Sequence, residues 1–214
     1  MTRRTILTAL CPLGALVVSC SILGPIPDQS RYYILTLAEP RSDEPSRVHD
    51  GSPAYALGPV TLPEYLDRNQ IVTRLSPSEV TYSQWDRWAE PLETNVATVL
   101  RRRLTVELGV GDVTRYPWTG DGVDYQIEVT FLRLETDMAG QNVLSARWSI
   151  RDVRRDGAIV TGNETTLTRP GPPGDRAAST HALSEMVRDL GDEIAHAARD
   201  LPRPTAHQAK AKAT

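Results

Sequence analysis

Cysteine is scarce. The chain has two in 214 residues, Cys11 and Cys20. Cys11 falls inside an N-terminal apolar run, so a chain trimmed of that run keeps Cys20 alone. No internal disulfide can then form, whatever the redox compartment. A net excess of Lys and Arg is also missing. The formal charge is −3 and its members are mixed along the sequence, which gives no sign of a nucleic-acid surface. No Gly-x-Ser-x-Gly, His-Glu-x-x-His, Cys-x-x-Cys or phosphate loop occurs. The four histidines, His49, His181, His196 and His207, have no acidic residues at ligand spacing. Neither a metal site nor a cofactor is expected. The carboxylates are scattered, and an acid/base pair assembled from distant segments stays open. There is no internal repeat, and the apolar stretch at residues 6–18 falls short of the roughly 20 residues needed to span a bilayer.

What the N-terminus does contain is an export pattern. Arg3 and Arg4 precede an apolar run of Ile6, Leu7, Leu10, Leu13, Ala15 and Leu16, which ends at Val17-Val18-Ser19-Cys20. A short positive segment, an apolar core and small residues describe a signal peptide. A cysteine directly after them describes a bacterial lipobox. Cys20 is thus the candidate lipidation site, receiving a diacylglycerol and then palmitate-type acyl chains as the new N-terminus. Val17 and Ser19 depart from the commoner Leu and Ala or Gly. An ordinary signal peptide cut nearby, with Cys20 incidental, is the plainer reading. Ser21, where Asp would favour inner-membrane retention, leans toward the outer membrane. Removing residues 1–19 leaves 195 residues at charge −5, enough for one domain with a core. The expected organisation is a signal at 1–19, a lipidated tether at 20–30, one α+β domain at 31–201 and a disordered tail at 202–214.

Within that domain, residues 31–37 read as a first strand, rich in β-favouring side chains. Residues 55–62 read as a second strand bending at Gly58-Pro59, residues 63–69 as a turn, 70–75 as a third strand and 79–82 as a short fourth. Residues 91–108 predict a helix. Leu92, Val96, Val99, Leu100, Leu104 and Leu108 form one stripe, Pro91 suits the first turn and Gly109 the stop. Arg101, Arg102 and Arg103 are expected near that helix's C-terminus, where positive charge is favourable. Residues 112–116 read as a short strand. A meander follows. Tyr125, Ile127, Val129 and Phe131 alternate with polar residues, and a phase shift at Leu132 and Leu134 suggests a bulge. Leu144, Ala146, Trp148 and Ile150 alternate next, Asp156-Gly157 marks a hairpin turn, and residues 158–167 return. A last helix covers about 175–201, with Leu183, Met186, Val187, Leu190 and Ile194 on its stripe. The class is α+β: a largely antiparallel sheet with two amphipathic helices packed on one face.

Two segments exceed what such a sandwich needs. One runs Leu57-Gly58-Pro59-Val60-Thr61-Leu62-Pro63-Glu64-Tyr65-Leu66-Asp67-Arg68-Asn69-Gln70-Ile71-Val72-Thr73-Arg74. The other is Arg87-Trp88-Ala89-Glu90-Pro91-Leu92, preceded by Tyr82 and Trp85. On these two motifs, in this order, the chain resembles the PqiC-type lipoproteins, auxiliary components of ABC-type transport systems. The likeness extends over roughly residues 17–200 and departs visibly only at Asn69, where Pro is common.

That resemblance implies a non-catalytic role. Such lipoproteins look like outer-membrane partners of MCE-domain proteins, which bridge the periplasm together with an inner-membrane permease and ATPase. The systems move lipids or other apolar molecules and support envelope integrity. A cyclic homo-oligomer would suit the end of a channel, and nucleic acid is not an expected partner. Tyr65, Leu66, Asp67, Arg68, Trp88 and Glu90 are the candidate partner or lipid contacts, with Tyr65 and Leu66 read as exposed in a tight turn. A structural account stands beside this. Tyr65 and Leu66 tuck under the turn after Pro63, Trp88 packs in a core, Asp67 caps the turn, Arg68 pairs with Glu64 or Asp67, and Glu90 stabilises the helix N-terminus. Two rival functions are kept: an assembly lipoprotein for another outer-membrane machine, and a lipid-anchored envelope hydrolase.

Overall fold

The computed structural model describes residues 27–37, 52–118 and 122–202. The signal, Cys20, most of the tether and nearly all of the tail lie outside them. The elements are β1 (Arg31–Tyr33), β2 (Tyr55–Thr61), a 3₁₀ turn (Glu64–Leu66), β3 (Gln70–Ser76), β4 (Glu79–Trp88), α1 (Leu92–Leu108), β5 (Thr114–Arg115), β6 (Tyr125–Asp137), β7 (Gln141–Asp152), a 3₁₀ turn (Val153–Arg155), β8 (Ala158–Pro170) and α2 (Arg176–Arg199).

The fold is α+β, built on an eight-stranded sheet that forks. Strands β6, β7 and β8 form the antiparallel stem predicted from their alternation. The other edge of β6 is shared by two strands in succession. Strand β2 pairs parallel with Tyr125–Thr130, and β3 pairs parallel with Thr136 and Asp137. Strand β5 extends the β2 branch. Strand β4 runs antiparallel to β3, and β1 parallel to β4. The long ladders are antiparallel; the parallel joints are short. The expected bulge in β6 lies between Phe131 and Arg133, inside the stretch between the two branches.

Both helices cover one face. Helix α1 packs on β2 and α2, while α2 packs on β6, β7 and β8. Val96, Leu100 and Leu104 of α1 meet Leu183, Met186, Val187, Leu190 and Ile194 of α2 over Ile127, Val129, Trp148 and Ile150 in one buried cluster. Helix α1 stops where Gly109 turns left-handed, at φ 62°, a conformation glycine adopts without strain. The Asp175 side chain caps α2 by accepting from Ala178 N at 2.9 Å.

Four local expectations change. Strand β1 ends at Tyr33, because the next backbone groups are satisfied by helix side chains. Leu35 N donates to Asn95 Oδ1 at 2.7 Å, Asn95 Nδ2 donates to Leu35 O at 3.1 Å, and Thr36 N donates to Ser184 Oγ at 3.2 Å. Strand β4 runs on to Trp88 instead of ending near Tyr82, through a register shift against β3 where Ser83 Oγ accepts from Asp86 N at 2.9 Å. Pro91 caps α1 from outside its first turn. The arginine triplet sits before the last turn of α1 and has specific partners there. Arg101 meets Asp112 at 2.6 Å, and Arg103 meets Glu107 at 2.9 Å and Asp192 of α2.

Candidate functional site

Pro63, with φ −60° and ψ 145°, ends the β2 branch and sets up the 3₁₀ turn. Leu66 N donates to Pro63 O at 2.9 Å and Asp67 N to Glu64 O at 3.1 Å. The turn spans the fork, between the last rung of β2 on β6 and the first rung of β3. Its apolar pair is therefore tucked beneath it, in line with the structural account of these residues and against the exposed one. Leu66 is 2% accessible and belongs to the core. Tyr65 is half-buried, and its hydroxyl donates to Glu135 Oε2 at 2.7 Å.

Glu135 is the centre of this lock. It is 2% exposed and accepts from Arg74 Nε at Oε1, with Arg133 Nε at 3.0 Å from the same oxygen. The Arg74 guanidinium also lies 5.7 Å from the Tyr65 ring centroid and donates to Pro77 O at 3.1 Å. Burial alone would raise the Glu135 carboxyl. The hydrogen bonds from Arg74, Tyr65 and Arg133 outweigh it and hold the group below its ordinary range. The Tyr65 hydroxyl is pushed up to about 12, first by burial and then by its bond to Glu135. A carboxylate held this firmly as an anion is a poor proton donor and a good structural tie.

The rest of the turn faces solvent. Asp67 and Arg68 are exposed. The Arg68 guanidinium lies over the Tyr82 ring, 5.0 Å from its centroid, rather than on Glu64 or Asp67.

The second motif meets the first directly. Trp88 N donates to Asn69 O at 2.7 Å, and Gln70 stands opposite Arg87. Trp88 is buried in the core, and Ala89 N donates to Tyr33 O at 2.8 Å. Asn69, Arg87, Trp88, Ala89, Glu90 and Pro91 line a cleft of about 550 Å³, closed on its other side by Asp28, Ser30 and Tyr32. Glu90 is half-buried there. Asp28 turns the incoming chain: its Oδ1 accepts from Ser30 N at 2.9 Å, and its hydrogen bonds with Ser30 hold its carboxyl low.

A second buried carboxylate, Asp86, fastens this corner to the helices. Arg31 reaches Oδ1 at 2.8 Å and Arg176 of α2 reaches Oδ2 at 3.4 Å. Ser83 Oγ donates to Oδ2 at 3.0 Å, while Arg176 also donates to Thr73 Oγ1 at 2.6 Å. Sequence reasoning missed Glu135, Asp86, Asn95 and Arg176. One cue was present for Asp86, a carboxylate between Trp85 and Trp88. Glu135 sits inside a strand whose alternation breaks at the bulge, which hides its direction. Among the described residues no group of His, Cys, Asp and Glu could hold a metal ion, and no helix is long and apolar enough to cross a membrane.

A family model described as the ABC-type transport auxiliary lipoprotein component matches residues 33–195, a span that includes both motifs. No curated protein matches the chain in sequence. Among solved structures, the crystal structure of an uncharacterized protein is similar at TM-score 0.64 and 17% identity, over 78% of this chain and 97% of that one. A Xanthomonas campestris protein of the DUF330 family is similar at TM-score 0.60 and 18% identity, over 78% of this chain and 93% of its own. At these identities the likeness concerns the fold.

Proposed function

The chain belongs to the family of ABC-type transport auxiliary lipoprotein components, and from that membership we propose that it is the outer-membrane-anchored subunit of an MCE-type lipid transport system. Cys20 holds it by diacylglycerol at the periplasmic face, and the domain docks the periplasmic MCE protein without catalysing a reaction. The inner-membrane permease and ATPase act at the far end, and the assembly supports envelope integrity. A homo-oligomeric ring would close the channel end around its cargo.

One observation supports this reading above others. Two motifs on the neighbouring strands β3 and β4 meet at one corner, joined by the Trp88–Asn69 hydrogen bond, beside the segment that arrives from Cys20. Asp67, Arg68 and Glu90 offer that corner's polar contacts. Tyr65, Leu66 and Trp88 act from beneath, by fixing its shape.

The test is a pull-down of the MCE partner with the lipidated protein, using the charge reversal Asp67→Lys with Arg68→Glu and, separately, Glu90→Lys. The variants should fold and stay lipidated but lose partner capture and protection against envelope stress. Retention of both would exclude this corner as the docking surface. Turnover of lipid or peptidoglycan ester substrates by the wild type would favour the hydrolase instead.

A further inference from the structure

The strand register sorts the small branch of the sheet into two faces. Arg176 of α2 reaches Thr73 and Asp86, so these residues lie on the helix side, as buried Trp88 does. Directly paired residues share a face. Tyr32 stands beside Arg87, Gln70 opposite Arg87 and Val72 opposite Tyr82. Trp85 shares the parity of Arg87, with Asp86 between them buried. Tyr32, Tyr82, Trp85 and Arg87 therefore occupy one outer face, away from both helices.

Three of these are large aromatics with surface in water: Tyr32 is 63% exposed, Trp85 38%, and Tyr82 38% even with Arg68 over one side of its ring. The core does not account for them. Their location suggests what covers them. The chain enters this face through Asp28 and Ser30, which line the cleft beside Tyr32 and Arg87. Only residues 21–26 separate Cys20 from Pro27, a reach of about 25 Å at full extension. A face this near a lipid anchor meets the head-group layer. Tyr and Trp favour that layer because one part of each ring system is apolar and the other hydrogen-bonds. Arg bridges apolar and phosphate surroundings in the same way. Asp28 offsets Arg87, so the attraction does not depend on anionic lipid.

We propose that this outer face seats on the phospholipid head groups of the anchoring membrane, with Tyr32, Tyr82 and Trp85 in the interfacial layer and Arg87 toward phosphate. The seat fixes the domain's orientation and sets the docking contacts Arg68 and Glu90, which border this face, at its membrane-proximal rim. The inference rests on the lipid-anchor reading above.

Cys20 is the sole cysteine of residues 20–214, so the mature chain can be coupled there to a maleimide lipid in vesicles of phosphatidylethanolamine and brominated phosphatidylcholine. Tryptophan emission should shift to the blue and be quenched. Trp118→Phe should keep that quenching, Trp85→Phe should abolish it, and Tyr32→Ser with Tyr82→Ser should weaken it while leaving Trp85 as reporter. Quenching that survives in Trp85→Phe, or none in the wild type, overturns the proposal. So does protection of the face from hydrogen exchange only after the MCE protein is added, which would make it a protein interface. The anchor reading is checked separately, by the intact mass of the protein extracted from cells. Absence of the diacylglycerol increment would sink that reading and leave the vesicle result unaffected.

Discussion

Replacing Glu135 with Ala tests the lock at the fork. The carboxylate is buried and accepts from Tyr65, Arg74 and Arg133. Its removal strands the half-buried Arg74 guanidinium and the Tyr65 hydroxyl together. Breaking a buried pair from one side costs about 3–5 kcal/mol, and partial exposure of Arg74 places the expected loss near the lower end, about 3 kcal/mol. Tyr65→Phe removes a single hydrogen bond to a charged group, about 1.5–3 kcal/mol. The double variant should lose less than the sum, since both substitutions remove the same bond. Urea unfolding at pH 7 measures all three. The pH dependence has a definite sign. Glu135 titrates below its ordinary range when folded, so its contribution is complete above the unfolded value near 4.3 and fades as pH falls through the folded one. Tyr65 is raised to about 12, so its contribution is complete below about 10 and is lost as pH climbs through 12. Tyr65→Phe should remove Tyr65's share of the alkaline loss and, by taking one hydrogen bond from Glu135, reduce the acid loss as well. A cost under about 1 kcal/mol for Glu135→Ala, or strict additivity with Tyr65→Phe, would refute the lock.

Leu190 is fully buried between α2 and the sheet, and Leu190→Ala should cost about 2–5 kcal/mol by the same urea assay; a loss well under 1 kcal/mol would mean α2 is peripheral. Gly58 adopts φ 126°, and a Cβ there would stand 2.4 Å from Tyr116 Cβ, so Gly58→Ala should lower stability by about 1–3 kcal/mol, which thermal melting would register. Asn95→Ala removes both side-chain bonds to Leu35 and should speed proteolysis within residues 34–37; unchanged cleavage would show that β1 alone secures the segment. Cys20→Ser should leave precursor or a soluble periplasmic protein, and unchanged membrane fractionation at the same mature mass would exclude lipidation.

What the sequence revealed was set by nearby residues. The α1 stripe of Leu92, Val96, Val99, Leu100 and Leu104 is buried throughout, Gly109 ends the helix, and the alternation of β6 and β7 places their inward residues correctly. These patterns repeat every two to four residues, so local composition exposes them. The fork does not arise locally. Two strands laid end to end along β6 depend on pairings about 60 to 70 residues apart, which no periodicity announces. The same distance hid the candidate site's interior. Tyr65 and Leu66 read equally as exposed or as tucked under the turn until β6 is placed beneath them, and Tyr65 needs Glu135, 70 residues away. Strand β1 was overestimated because Asn95 and Ser184 replace a partner strand from the helices. Strand β4 was cut short because its burial does not alternate across the shift near Ser83.

Attachment of β1 has a mechanical consequence. Three residues pair it to β4, yet Asp86 joins Arg31 to Arg176 of α2. Tension arriving along the N-terminal segment is thus divided. Part enters the small branch of the sheet, and part passes by charge to the long helix packed over β6, β7 and β8. The broad ladders of the stem are spared direct pull, and the slender branch yields before they do. A domain suspended from this end has its compliance beside the N-terminal segment and its stiffness in the antiparallel stem.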